Sequence, residues 1–174
     1  VATIDGNYVG RDTRYSYAEC GFPVWRSTGV YASAGELVKI TIPPALASAG
    51  LTAQIGAHTD LLWDKTSWVR FPQIVRTYPL TATDTTVASA FGGLVYIHVP
   101  AGKQLGPVDV TIDNVVRAPH YVHGQTTQNE WLTIRDYPAP CAEIASDKLI
   151  LMVPSANIKN LADPSALMDL WDEI

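Results

Sequence analysis

At 174 residues, 47% hydrophobic and 17% charged, with five Trp, eight Tyr, twelve Gly and twelve Pro, the chain predicts one folded, turn-rich domain with at most a short appendage, a composition that favours folding over disorder. A net charge of −5 without any basic run excludes a nucleic-acid backbone or an anionic membrane surface as an electrostatic partner. The longest apolar runs, such as Leu149 to Val153, are strand-sized and fall well short of the roughly 20 residues a helix needs to cross a bilayer.

The first 25 residues show no clear period. Glu36 to Ile42 then alternates, with Val38, Ile40 and Ile42 on one face, the pattern of a half-buried strand. Pro43 and Pro44 stop it, because neither can donate to a ladder, and Leu51 to Ala57 starts a second alternation with Leu51, Ala53, Ile55 and Ala57 inward. Trp68 to Val75 reads as a weaker strand broken at Pro72, and the Thr-rich stretch Thr81 to Ser89 as an exposed connection.

Phe91 to Val99 is predicted as a strand with Phe91, Val95, Ile97 and Val99 on one face, and Gly92 and Gly93 mark a bulge or a close backbone approach at its start. Val108, Val110 and Ile112 alternate with Asp109, Thr111 and Asp113 in a strand that ends at Asn114. Glu130 to Ile134 and Leu149 to Val153 complete the predicted strands, with one short helical turn between them around Cys141, Ala142, Glu143 and Ile144. At the end, Asp163 is placed to cap a helix, Pro164 suits its first position, and Leu167, Leu170, Trp171 and Ile174 follow at i, i+3, i+4 and i+7. The expected architecture is therefore mainly β, a β-sandwich of jelly-roll type over residues 1–162, with a short C-terminal helix at residues 163–174 that leads into a further lobe. Val1 opens the chain without a Met or an export leader, so a processed or excised piece of a longer protein is expected.

No complete catalytic constellation can be assembled from the residues. An HExxH string, which sets two His one helical turn apart around a general base, is absent. His120 and His123 are flanked by Pro119 and Gly124, in a loop or strand end where a three-residue offset does not bring both rings to one metal. Ser27 lies in Trp-Arg-Ser-Thr-Gly, a turn context rather than a nucleophile elbow, and Asp109 and Asp113 belong to the wet face of a strand. His98 reads as a satisfied mid-strand residue. Cys20 and Cys141, the only two cysteines, are compatible with one disulfide or with buried thiols.

Binding chemistry has more support. His58 and Asp60 lie two apart at a predicted strand end, so both project from one face towards Trp63 and Trp68, unless they hydrogen-bond the turn while the rings pack as core. Aromatic rings on a β-sandwich stack well on sugars, so Trp63, Trp68, Tyr121 and Trp131 form the candidate set for a carbohydrate-binding module.

Several segments, in this order, carry a resemblance: Trp25-Arg-Ser-Thr-Gly-Val-Tyr-Ala with Ala34-Gly-Glu, Gln54-Ile-Gly-Ala-His-Thr-Asp with Trp63, Trp68-Val-Arg with Pro72, Phe91-Gly-Gly-Leu-Val-Tyr-Ile, Ala139-Pro-Cys-Ala-Glu-Ile and Val153-Pro-Ser. Together they resemble the region that precedes the catalytic motif in the enhancin-like zinc metallopeptidases, a family that includes mucin-degrading enzymes. The resemblance implies a β-rich portion that braces a catalytic lobe carrying HExxH, zinc in the parent but no cofactor in this chain, and a secreted or cell-surface protein acting on glycoproteins. It also implies that His58, Asp60, Trp63 and Arg70, on loops held by a rigid β scaffold, line a substrate cleft. No metal ligand or general base of the family can be carried onto any residue of this sequence, so hydrolysis by this chain alone is not expected.

Overall fold

The computed structural model describes residues 1–9 and 22–173. The chain divides into two compact units, Val1–Thr28 with Ala32–Val115, and Gly29–Tyr31 with Val116–Ile174.

Among the described residues, the first unit is built from eight strands in two antiparallel sheets. One sheet has the order β1 (Ala2–Asn7), β8 (Gln104–Asp113), β3 (Val38–Thr41) and β6 (Asp84–Val87). The other sets β5 (Arg76–Pro79), β4 (Thr52–Ile55), β7 (Gly93–Val99) and β2 (Val24–Ala32) side by side. The mainly β, sandwich-type fold read from the sequence is the fold observed. Its register follows the alternation: Ile40 faces Ile112 across β3 and β8, and Ala53 faces Ile97 across β4 and β7. Val38, Ile40, Ile42, Val108 and Val110 are all buried, as the pattern required.

The structure corrects four readings here. Asp84–Val87 is a strand rather than a connection, since an edge strand with one wet face needs few apolar residues and β-branched Thr suits it. Its outer rim is tied by Thr41, which donates to Asp84 Oδ1 at 2.6 Å, and by Lys39, whose Nζ lies 3.2 Å from Asp84 Oδ2. Residues 68–75 form no strand; pairing resumes only at Arg76, beyond Pro72. β7 is buried on both faces, so Leu94, Tyr96 and His98 are as covered as Val95, Ile97 and Val99, while Phe91 lies outside the strand and exposed. Ser27 lies within β2, not in a turn.

In the second unit, the end of β2 pairs with β9 (Val116–Arg117) through Val30 and Tyr31. A three-stranded sheet follows, in which β10 (His120–Val122) runs parallel to β11 (Cys141–Ala145) and β11 antiparallel to β12 (Ile150–Pro154). Tyr121, Trp131, Ala142, Ile144, Ile158 and Met168 form one core cluster with these strands, α1 (Gln128–Ile134), α2 (Ser155–Ile158) and α3 (Ser165–Glu173).

Three expectations fail in this unit, each for a local reason. Glu130–Ile134 belongs to helix α1, not to a strand, because Thr127 and Glu130 form a reciprocal capping box: the Glu130 amide donates to the Thr127 hydroxyl at 3.3 Å, and the Thr127 amide donates to the Glu130 carboxylate at 2.8 Å. Cys141–Ala145 is strand β11 rather than a helical turn, with four of its five residues buried. Helix α3 is capped as expected, the Ser165 amide donating to Asp163 Oδ1 at 2.9 Å, but it buries Met168 and leaves Leu167, Leu170 and Trp171 exposed. Leu167, Leu170 and Trp171 of the predicted stripe therefore face away from the cluster, and Ile174 lies outside the described residues.

Candidate functional site

Between the end of β4 and the start of β5, residues 56–75 leave the sheet and carry a concentration of exposed large apolar side chains, Leu61, Trp63, Trp68, Val69 and Phe71. Two glycines fix where the loop leaves. Gly56 adopts φ 96° and its N–H donates to the Leu94 carbonyl at 2.9 Å, while Gln54 Nε2 donates to the Gly56 carbonyl at 2.8 Å. A Cβ on Gly93 would lie 2.5 Å from the Gly56 nitrogen, so only glycine permits the two backbones to approach this closely. That is the close approach anticipated from Gly92-Gly93.

Inside the loop, an ion pair crosses ten residues. Arg70 Nη2 lies 2.6 Å from Asp60 Oδ2 and 3.1 Å from the Asp60 carbonyl, and Arg70 Nη1 donates to the Phe71 carbonyl at 2.8 Å. The Leu62 N–H donates to the Pro72 carbonyl at 3.1 Å, closing the same neck. Asp60 is solvated and Arg70 only partly so, and the pair's role lies in positioning, since surface pairs of this kind contribute about 0–1 kcal/mol. Lys65 and Asp64 make a second pair at 2.9 Å, which leaves the tip with balanced charge.

Held by this clamp, Trp63 and Trp68 meet edge to face, with centroids 5.5 Å apart and planes at 82°, yet they are 57% and 53% exposed. Phe71 and Phe91 form a second exposed pair at 5.3 Å, and Leu61 and Val69 add apolar surface, Val69 being 98% exposed. Loose packing of this much aromatic area on a tethered loop presents π faces and CH edges to a ligand, which suits sugar rings or an apolar surface.

The structure brings Asp60 and Arg70 into direct contact and sets Trp63 against Trp68. His58 lies on the same loop, exposed, but beyond the strand end at Ile55, so the expectation that it and Asp60 project from one strand face is not met. Tyr121 and Trp131 leave the sugar-binding set, because both are buried in the second unit's core. Leu61, Val69 and Phe71 were not singled out from the sequence, and Phe91 was read only as a strand residue; the signal of the first three was an aromatic and apolar run ahead of Pro72 that follows no period.

His123 Nε2 lies 3.0 Å from Asp169 Oδ1. His120 is held below the usual imidazole range by burial. Burial raises the Cys141 thiol, and burial followed by the nearby Cys141 charge raises Tyr31. Cys141 has no disulfide partner among the described residues, and Cys20 lies outside them. Among the described residues no three His, Cys, Asp or Glu side chains converge in a metal-binding group. The described donors therefore do not fit zinc. No helix of the described residues is long and apolar enough to cross a membrane.

Residues 20–113 match the family described as the N-terminal domain of M60-like peptidases, and residues 114–174 match peptidase M60, enhancin and enhancin-like. The change from one match to the other falls two residues from the boundary between the compact units at Val115. Among curated proteins, the chain is 40% identical over 173 residues to TRPM8 channel-associated factor 1 of Bos taurus, covering 99% of this chain and 18% of that protein. It is 44% identical over 152 residues to TRPM8 channel-associated factor 2 of Mus musculus, covering 87% and 16%. The chain thus spans less than one fifth of the length of these relatives. Among solved structures, the M60 catalytic domain of ZmpC from Clostridium perfringens, in complex with the sialyl T antigen, superposes with a TM-score of 0.62 at 11% identity, over 87% of this chain and 35% of that one.

Proposed function

The chain belongs to the M60-like, enhancin-like peptidase family, and from that premise we propose that it is a non-catalytic portion of such a protein, bracing the catalytic lobe and offering the 56–75 loop to a glycosylated protein chain. The observation that carries this reading is the solvent-exposed Trp63–Trp68 pair on a loop clamped by Asp60 and Arg70. An aromatic face prepared in this way stacks on a pyranose without reordering, and the carboxylate and guanidinium beside it supply hydroxyl acceptors and donors. The sialyl T complex of the ZmpC catalytic domain supports a glycan as ligand class. In this reading zinc belongs to the parent's catalytic lobe, and the parent works outside the cell or at its surface, among glycoproteins such as mucins.

Calorimetric titration of the chain with a glycopeptide bearing the sialyl T antigen tests the proposal. The double variant W63A/W68A is expected to lower affinity at least 10-fold, because stacking on an aromatic ring is worth on the order of 1 kcal/mol per pair. An affinity unchanged in that variant overturns it.

A second reading is favoured by the 40% identity to TRPM8 channel-associated factor 1. Here the same loop engages a protein partner in a parent without catalysis. Absence of glycan binding together with a degenerate zinc motif in the parent selects it.

A further inference from the structure

His98 is the penultimate residue of β7, is 7% exposed, and has a buried Nε2 without a hydrogen-bond partner among the described residues. The sequence reading of a satisfied sheet histidine is thereby corrected. Its ring lies flat on Trp25 of β2, with centroids 5.2 Å apart and planes at 12°, and Trp25 also touches Tyr96 at 5.2 Å. Across the sheet, Thr52 stands opposite His98, and Gln54 opposite Tyr96. Continuing the register into β5, Thr77 and Pro79 share this face.

None of these neighbours carries a charge. The charged side chains on the adjacent strands have the other parity: Arg76 pairs in register with Ile55, and Arg26 turns to Asp5, with Arg26 Nη2 3.1 Å from Asp5 Oδ2. Tyr96, on this face beside His98, has a phenol that is neutral in acid. An imidazolium formed here would thus bring a second N–H donor and a full charge into a buried position with no described acceptor or counter-charge.

We infer that His98 is an acid trigger built into this sandwich: a proton taken up by its ring loosens the seam between β2 and β7 and drives opening in mildly acidic surroundings. The direction follows from linkage. Burial lowers the His98 pKa from 6.5 to about 4 in the folded chain. The stability that comes from keeping the ring neutral is therefore complete above about pH 6.5 and is lost as pH falls from there towards 4. Between pH 7.5 and pH 5.0 this single group is expected to lower the folded-to-unfolded ratio by roughly 30-fold.

Urea unfolding of the chain at those two pH values, compared with H98F and H98Q, tests the inference. Both variants are expected to lose about 30-fold of the acid sensitivity. His120, which burial shifts in the same direction, remains in all three proteins and cancels in the comparison. If a variant fails to fold, Trp25 reports instead, because an imidazolium stacked on an indole quenches its emission. In the wild type, quenching with a midpoint well below pH 6, absent in W25F, supports the inference. Acid sensitivity unchanged in the His98 variants, or a Trp25 titration midpoint near 6.5, overturns it.

Discussion

Two aromatic pairs in this protein have nearly the same geometry and opposite surroundings. Tyr121 and Trp131 meet at 5.6 Å and 77°, and Trp63 and Trp68 at 5.5 Å and 82°. The first pair is buried, with the Trp131 indole N–H donating to the Leu161 carbonyl at 2.8 Å and the Tyr121 hydroxyl 3.0 Å from Ser165 Oγ. The second is open to water on a clamped loop. Edge-to-face contact is therefore not what separates a core from a binding surface. The difference is made by whether the polar handle of each ring finds an internal partner and whether strands and helices close over its faces.

The comparison sharpens most under truncation of the buried member. Trp131→Ala empties a site with 0% exposure and is expected to cost about 3–5 kcal/mol, read as a lower urea midpoint at an unchanged slope. A loss below about 1 kcal/mol would show that this cluster is loosely packed, and the contrast would collapse.

Gly93→Ala acts next. Its Cβ would fall 2.5 Å from the nitrogen and 2.6 Å from the Cα of Gly56, at a φ of 149° that L residues avoid. A loss of about 2–3 kcal/mol is expected, along with weaker glycan binding, because the loop leaves the sheet at that crossing. Binding that persists despite the lost stability would detach the Trp63–Trp68 surface from its scaffold. The smallest stability effect is expected for Trp68→Ala, within about 0.5 kcal/mol, measured by the same unfolding curves. A larger loss would mean that the exposed pair is a packing element after all.

The capping box shows how a legible signal can still be outweighed. Thr127-Gln-Asn-Glu130 ahead of Trp131 is a helix start in plain sequence, but the five-residue run Glu130 to Ile134 is also short and apolar enough to read as a strand. For Cys141–Ala145 the local signal pointed to a helical turn, and pairing to β10 on one side and β12 on the other overrode it. At the candidate site, His58, Asp60, Trp63, Trp68 and Arg70 were all identifiable. The Asp60–Arg70 contact and the Phe71–Phe91 pair were not, since they depend on a loop neck closed by backbone contacts between distant residues.

What the sequence determined by itself is the sandwich and the strands with one wet face, β3 and β8 above all, because a period of two records which side of each residue meets water. It also determined the cap of α3, written in Asp163 and Pro164. Tertiary structure alone decided which face of α3 is buried, that β7 is covered on both sides, that Trp131 is core while Trp63 and Trp68 are surface, and that His98 Nε2 finds no hydrogen-bond partner among the described residues. Each of these depends on what packs over a residue from far along the chain, and local periodicity carries no record of that.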